Sequence, residues 1–367
     1  MIKATDLDMS GHEQVMFCHD EETGLKAIIA IHNTTLGPAL GGSRFWDYAH
    51  QDEALFDVLR LSRGMTYKAA ISGLSLGGGK SVLIGDAKKL KSESYFRAFG
   101  RFVHHLNGRY ITAEDVNIKV DDMNTVALET PYVTGVSSRP SGSGDPSPVT
   151  AFGVFSGLKA AVQFYYGHQN LKGLHVAVQG CGAVGRNLCQ LLHAEGAVLT
   201  VADLHAESTK KMVDEFGARV VSIDEIHRVE CDVFAPCALG GGLNPETIPE
   251  LQTPVVAGGA NNQLLEEVRD GKALMEKGVL YAPDYAINAG GLINVSHELR
   301  GYNRDAAMAD TAKIYDTMLN IFETAKSQNI PTAQAAGALA EQRIKKAKTV
   351  EGRLTQSWHN QSWIKVK

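Results

Sequence analysis

The run Leu-Gly-Gly-Gly-Lys-Ser-Val-Leu-Ile-Gly-Asp at 76–86 sets Lys80 directly behind three glycines. Glycine lets backbone approach closely and adopts conformations other residues resist, so a lysine in such a turn is placed rather than merely exposed. One chemistry to test is phosphate binding, which needs a glycine, four residues, then Gly-Lys-Ser/Thr. The register fails, because residue 74 is Leu74 and Gly73 stands one place early. The sequel fails too: Ser81-Val82-Leu83-Ile84 before Gly85-Asp86 reads as a short buried strand and a turn, not as a helix start. Lys80 is therefore read as a catalytic or substrate-binding ammonium. Lys68 sits in a largely apolar stretch, where an ammonium needs a partner. Asp115 closes the strand-like run Tyr-Ile-Thr-Ala-Glu-Asp and, taken alone, reads as a surface charge.

A second constellation is Gly180-Cys181-Gly182-Ala183-Val184-Gly185. It follows a predicted strand, opens a predicted helix, and precedes a second strand ending in Asp203, 18 residues beyond Gly185. That is the dinucleotide fingerprint: Gly180 for the tight turn, Gly182 for backbone approach to a pyrophosphate, Gly185 for helix-on-strand packing, and an acid for the adenosine ribose. The helix N-terminus adds amides and positive potential. A carboxylate at 203 repels a 2′-phosphate, and Leu204 and His205 offer no arginine to accept one, so NAD is expected rather than NADP.

These residues need elements to hold them. Leu25–Asn33 reads as a strand, Glu53–Arg63 as a helix with Ala54, Leu55, Val58 and Leu59 on one face, and Tyr95 to Leu106 as a second helix whose aromatic stripe is core. Residues 137–148 hold three prolines and two glycines and form the best linker. Ser147-Pro148 suits an N-cap with proline at the first helical position. Beyond it strand and helix alternate: Leu174–Gln179, Val184–Ala194, Val198–Asp203, 206–216, Arg219–Ile223, Asp232–Phe234, Pro254–Ala257 and Val279–Tyr281. Such alternation predicts a doubly wound parallel sheet. One long helix is expected through Ala307, Ile314, Met318, Phe322 and Ala325, and another over Thr332–Lys348, with Lys345, Lys346 and Lys348 as a solvated end.

Composition narrows the class. The chain has 367 residues, room for two domains, with 44% hydrophobic and 21% charged residues, as in an ordinary globular protein. A net charge of −5 argues against nucleic acid. No apolar run approaches the ~20 residues of a membrane helix. Five cysteines without metal-type pairing, and an opening Met-Ile-Lys-Ala-Thr-Asp without an apolar core, lead to the expectation of a cytoplasmic protein. Neither His104-His105 nor His297-Glu298 has a partner at ligand spacing, so no metal is expected.

The segments 76–86, 107–116 (Asn-Gly-Arg-Tyr-Ile-Thr-Ala-Glu-Asp-Val), 145–154 (Asp-Pro-Ser-Pro-Val-Thr-Ala-Phe-Gly-Val) and 282–291 (Ala-Pro-Asp-Tyr-Ala-Ile-Asn-Ala-Gly-Gly) resemble the leucine dehydrogenase branch of the Glu/Leu/Phe/Val dehydrogenase family. The resemblance runs from about residue 10 to about residue 350. It implies oxidative deamination of an amino acid to a 2-oxo acid and ammonia, with Lys68 on the substrate carboxylate, Lys80 as the general acid/base that activates water, and Asp115 as shuttle for the amine proton. Gly77 and Gly78 would line the reacting centre and Asn262 would help hold the carboxylate. Thr150, Asn261 and Asn288 would join Gly180, Gly182, Ala183, Val184, Gly185 and Asp203 in holding NAD. Water attack on an iminium needs a base near neutral pH, so a closed cleft and the charge of Lys68 are expected to lower the Lys80 pKa.

The implied side-chain pocket, Leu40, Met65, Ala113, Leu292 and Val295, is wholly apolar. Leu40 stands where the family's glutamate enzymes carry a lysine, so a distal carboxylate would be buried without a partner. Branched aliphatic side chains fit best. Leu292 replaces the usual valine of the branch, which leaves the order of leucine, isoleucine, valine and aromatic substrates open. Gly240-Gly241-Gly242 is richer in glycine than the branch and has no functional reading in sequence. A phenylalanine or tryptophan dehydrogenase on the same scaffold is the alternative. An NAD-binding regulator without catalysis would not need Lys68, Lys80 and Asp115. The expected architecture is α/β with two domains: a mixed-sheet substrate domain (1–136), a linker (137–149), a Rossmann NAD domain (150–325), and a C-terminal helix and tail (326–367) returning to the first domain. A cleft between the domains is expected to open and close. Trp358 and Trp363 suit a subunit contact or local packing, and the family implies a homo-oligomer, an octamer.

Overall fold

The computed structural model describes residues 11–138, 142–238 and 240–350. The chain divides into two compact units. The first comprises residues up to Asp145, Val295–Arg304 and residues from Ala340; the second comprises Pro146–Asn294 and Asp305–Leu339. Sequence reading places the return to the first domain at 326. In the structure the crossings at 294/295 and 339/340 fall inside helices, where helical periodicity continues unbroken across them and a linker-like composition is not needed. Trp358 and Trp363 lie outside the described residues.

In the first unit β1 (Gln14–Asp20), β2 (Leu25–Asn33), β3 (Ala39–Trp46), β4 (Gly77–Ile84) and β5 (Tyr110–Glu114) form a sheet in the order β1-β2-β4-β3-β5. The pairings β1–β2 and β2–β4 are antiparallel, β3–β4 and β3–β5 parallel. Ile28, Ile29, Ala30 and Ile31 of β2 are all buried, because both sheet faces are covered. Helix α1 (Gln51–Ile71) covers one face, where Ala54, Leu55, Val58 and Leu59 meet Ile28, Ala30 and Val82. The short α2 (Ala87–Leu90) precedes α3 (Glu93–His105), which lays Tyr95, Phe96 and Phe99 on the other face beside Phe45 and Tyr110; α4 (Val120–Val126) adds Met123 and Val126 to that core. Ser92 caps α3 by accepting from the Tyr95 amide.

The three glycines before Lys80 form no turn: they are the first residues of β4. Their cause is close approach. A Cβ on Gly77 would lie 2.0 Å from the Asn33 carbonyl oxygen, one on Gly78 2.1 Å from the Thr66 nitrogen of α1, and one on Gly79 2.7 Å from the Tyr110 ring. These neighbours are remote in sequence, so local reading sees only a glycine cluster.

The second unit holds β6 (His175–Gln179), β7 (Val198–Ala202), β8 (Arg219–Val220), β9 (Val233–Pro236), β10 (Val255–Val256) and β11 (Leu280–Tyr281) in the order β11-β10-β9-β6-β7-β8, with all pairings parallel. This is the dinucleotide-binding strand order, and it reverses between β6 and β9. From residue 147 onward the helices are α5 (Ser147–Tyr166), α6 (Ala183–Ala194), α7 (Ala206–Phe216), α8 (Glu267–Lys277), α9 (Asp284–Ile287), α10 (Gly290–Ser296), α11 (Arg304–Ala312), α12 (Ile314–Gln328) and α13 (Thr332–Val350), of which α10, α11 and α13 run across the unit boundary. Ser147 is the first residue of α5 rather than its cap, a role that falls to Pro146. The single long helix expected from Ala307 is broken at Lys313 into α11 and α12. The strand expected over Arg219–Ile223 keeps only its first two residues.

Candidate active site

Strand alternation decides which residues can meet. Gly78 points into α1 at Thr66, and Val82 packs against Leu55, Val58 and Leu59, so Lys80 between them faces α1 as well. Leu40 pairs with Gly78 and Arg44 with Val82, and both share that face. On β5 Tyr110 belongs to the opposite core, which turns Ala113 and the following Asp115 toward the α1 side. Met65 of α1 approaches β3 there, its Cγ 3.3 Å from where a Gly41 Cβ would lie. Thus Leu40, Met65, Gly78, Lys80, Ala113 and Asp115 are brought together in the first unit. Lys68 lies in the last turn of α1, three residues beyond Met65.

Lys80 is 6% exposed, and its Nζ lies 2.6 Å from Asp115 Oδ2. Arg44 Nε lies 3.4 Å from the same oxygen. Burial pushes the Asp115 carboxyl up, but Lys80 and Arg44 outweigh it and hold the group below the usual aspartate value. Arg44 is itself anchored, its Nη1 donating to Asp57 Oδ2 at 2.9 Å while Tyr48 Oη donates to the same oxygen at 2.7 Å. Sequence reading missed Arg44, Tyr48 and Asp57. Asp57 carried a usable signal: a carboxylate between Leu55 and Val58 on the buried face of a helix needs a cation.

The opposite sheet face fixes the strands that carry this pair. Ser43 Oγ lies 2.6 Å from both Ser81 Oγ and Thr112 Oγ1, and Tyr110 Oη donates to the Gly41 carbonyl at 2.7 Å. Ser43, Ser81 and Thr112 are fully buried neighbours of Arg44, Lys80 and Ala113 in sequence. The end of α1 is held too. Ser72 donates through Oγ to the Lys68 carbonyl at 2.6 Å. Arg343 of α13 donates to the carbonyls of Ala70 at 2.7 Å, Gly73 at 2.8 Å and Ala69 at 3.3 Å.

In the second unit the glycine loop joins β6 to α6 at the point where strand order reverses. A Cβ on Gly185 would sit 1.9 Å from the Gly180 carbonyl oxygen, while one on Gly182, the N-cap of α6, would meet nothing within 4 Å. The first fact explains helix-on-strand packing; the second leaves the helix start open to a phosphate group. Ala183 and Val184 are the first residues of α6. Asp203 lies beside this loop, its Oδ2 accepting from the Cys181 amide at 2.7 Å and its Oδ1 from the His205 amide at 2.8 Å. The cradle therefore fits a dinucleotide.

Asn288, 3% exposed, donates to Asn261 Oδ1 at 2.7 Å and toward the Gly259 and Ala260 carbonyls at 3.2 and 3.3 Å. Thr150 Oγ1 donates to the Pro146 carbonyl in the first turn of α5. Asn262 takes a left-handed backbone at φ +51° and exposes its side chain. Leu292 and Val295 are both buried on α10. No cluster of three His, Cys, Asp or Glu side chains able to hold a metal occurs among the described residues, and no described helix is long and apolar enough to cross a membrane.

A parallel sheet in dinucleotide order with a glycine loop and an acid at its reversal, joined to a unit that buries a lysine against a carboxylate, defines an NAD(P)-dependent dehydrogenase. The model described as "Glu/Leu/Phe/Val dehydrogenase, dimerisation domain" matches residues 12–132, and that described as "Glutamate/Leucine/Phenylalanine/Valine dehydrogenase" matches 200–352. The chain is 55% identical to a leucine dehydrogenase of Geobacillus stearothermophilus over 349 residues, covering 95% of each chain. It is 56% identical to one of Thermoactinomyces intermedius, again over 95% of each. It is also similar to the crystal structure of L-tryptophan dehydrogenase from Nostoc punctiforme, with TM-score 0.81, 50% identity, and coverage of 92% of this chain and 97% of that one. The chain belongs to the Glu/Leu/Phe/Val dehydrogenase family, whose members are amino-acid dehydrogenases.

Proposed function

We propose that the protein catalyses the reversible, NAD-dependent oxidative deamination of branched-chain L-amino acids to 2-oxo acids and ammonia. The observation that carries this reading is the Lys80–Asp115 ion pair on a sheet face that also bears Leu40 and Ala113, with Met65 of α1 laid against it. The Lys68 ammonium and the Asn262 amide bind the substrate carboxylate. Leu40, Met65, Ala113, Leu292 and Val295 surround the side chain, and the absence of a cation among them disfavours glutamate.

Asp115 takes a proton from the substrate ammonium, leaving the neutral amine. Bound NAD would supply the hydride acceptor for Cα, leaving an iminium. Lys80, having first released its own proton to solvent, takes a proton from the water that adds to the iminium carbon, while the backbone of Gly77 and Gly78 borders the reacting atoms. Asp115 returns its proton to the amine nitrogen, the C–N bond breaks, and the remaining hydroxyl proton passes to the departing ammonia as the carbonyl forms; reductive amination follows the same path backwards. Gly180, Gly182, Ala183, Val184 and Gly185 hold the pyrophosphate and Asp203 the adenosine ribose; Thr150, Asn261 and Asn288 hold the nicotinamide half. NAD is favoured over NADP by the Asp203 carboxylate and by Leu204 and His205 after it.

The match of residues 12–132 to a dimerisation domain supports a homo-oligomer, which we take to be an octamer. Five free thiols favour a reducing cytoplasm. The test is nicotinamide absorbance with NAD and leucine, isoleucine, valine, phenylalanine, tryptophan and glutamate in turn. Reduction with the aliphatic substrates, abolished in Lys80→Ala, is the expected outcome. Preference for tryptophan or phenylalanine would move the protein to the aromatic branch. No reduction with any of them, with NAD still bound, would overturn the enzymatic reading.

A further inference from the structure

The glycine run 240–242 lies beside Asn262. A Cβ on Gly240 would stand 2.5 Å from the Asn261 carbonyl oxygen and 2.6 Å from that of Asn262, both backbone atoms that cannot swing aside. The Gly241 amide donates to the Asn262 carbonyl at 2.8 Å. Further along, the Leu243 amide donates to the Gln263 carbonyl and the Leu265 amide to the Leu243 carbonyl, each at 3.0 Å. The run is thus a rail pressed against 261–265. On its other side Asn244 Nδ2 donates to the Gly241 carbonyl at 3.0 Å and Thr247 Oγ1 to the Gly242 carbonyl at 2.6 Å. Gly242 differs from its neighbours: a Cβ there would meet only the Gln179 side chain, at 3.6 Å.

Asn262 depends on this rail. Its left-handed backbone, which asparagine tolerates better than other non-glycine residues, is held from outside by the Gly241 amide on the Asn262 carbonyl. Its side chain is exposed and makes no hydrogen bond with the described residues, so its aim is set by the backbone beneath it. We infer that Gly240, with the Gly241 amide, positions Asn262 for the substrate carboxylate, acting through the Asn261–Asn262 backbone rather than by touching substrate. This inference rests on the proposed role of Asn262.

The experiment compares Gly240→Ala, Gly242→Ala, Asn262→Gly and the Gly240→Ala/Asn262→Gly double variant in steady-state kinetics with leucine and with its 2-oxo acid. Asn262→Gly removes the amide and suits the left-handed backbone. It raises KM by roughly tenfold to a hundredfold, as expected for a lost hydrogen bond to a charged group, with a smaller change in kcat. Gly240→Ala raises KM over the same range, and Gly242→Ala leaves it unchanged. In the double variant the Gly240 effect on KM disappears, because its target amide is already gone.

If Gly240→Ala gives no cooperative thermal transition, Asn244→Ala loosens the same rail from outside and raises KM severalfold on the parent but not on Asn262→Gly. Full additivity, or a parental KM in Gly240→Ala, overturns the inference while leaving Asn262 in its role. A parental KM in Asn262→Gly overturns that role instead.

Discussion

Asp115→Asn keeps size and shape but removes the charge that faces Lys80 at 2.6 Å and Arg44 at 3.4 Å. Arg44 retains Asp57, so the cost falls on Lys80, which is 6% exposed and left with a neutral amide oxygen. Breaking a buried ion pair outright costs about 3–5 kcal/mol. The asparagine oxygen still accepts a hydrogen bond and the Asp115 side chain is 22% exposed, which lowers the expected loss to about 2–3 kcal/mol. For a unit of this size that is roughly 4–12 °C in thermal midpoint. The charged partners hold the Asp115 carboxyl below its unfolded value, so its stabilisation is complete above the unfolded pKa near ~3.9 and is lost as pH falls through the folded pKa. The gap in thermal midpoint between parent and variant is therefore full at neutral pH and closes in acid. With the proposed proton acceptor gone, kcat falls by about 10²–10⁴. Scanning calorimetry over pH and steady-state kinetics with leucine measure both. A variant with the parental midpoint at neutral pH, or a gap that widens in acid, would refute the pairing.

Asp203→Ala removes the acceptor of the Cys181 and His205 amides, and KM for NAD rises at least about tenfold with little change in KM for the amino acid, read by varying each substrate in turn. Arg343→Met removes three donated hydrogen bonds from the C-terminal end of α1 and lowers the thermal midpoint by an amount equivalent to about 1–3 kcal/mol; leucine KM rises as well, because Lys68 sits on the released turn. Leu40→Lys, at a site 2% exposed, abolishes leucine turnover in the substrate panel, since a second ammonium enters the face that already buries Lys80.

What was legible in sequence was local. The β6–glycine loop–α6–β7–Asp203 unit is written in consecutive residues, and its strand and helix periods and acid spacing all fall in one stretch. The apolar face of α1 is plain in sequence at Ala54, Leu55, Val58 and Leu59, and only its length, Gln51–Ile71 against the expected Glu53–Arg63, is not. What stayed hidden depends on distant partners. Gly77, Gly78 and Gly79 look like a turn until Asn33, Thr66 and Tyr110 arrive to exclude a Cβ. Lys80 and Asp115 each stand out in sequence, but nothing along the chain says that they touch. Strands β8, β10 and β11 fall inside the expected runs Arg219–Ile223, Pro254–Ala257 and Val279–Tyr281, but only two residues of each pair, because the neighbouring strands and not the run itself set the length.

The first sheet separates two tasks by its pleat. Residues that hold the strands together alternate along the same backbone with residues that face α1: Ser43 with Arg44, Ser81 with Lys80, Thr112 with Ala113. The inward hydroxyls are bonded at 2.6 Å across three strands, and they cannot move without moving their neighbours on the opposite face. A buried ammonium–carboxylate pair is a poor source of stability, because desolvation opposes the attraction. Here it is held in place by neutral hydrogen bonds on the far side of the sheet and by Arg44, itself fixed to Asp57 of α1. The side chains that position the Lys80–Asp115 pair are therefore mostly ones that do not touch it. The glycines before Lys80 follow the same logic, since each missing Cβ lets β4 lie close to α1, β2 or the Tyr110 ring and so fixes how far the ammonium can reach.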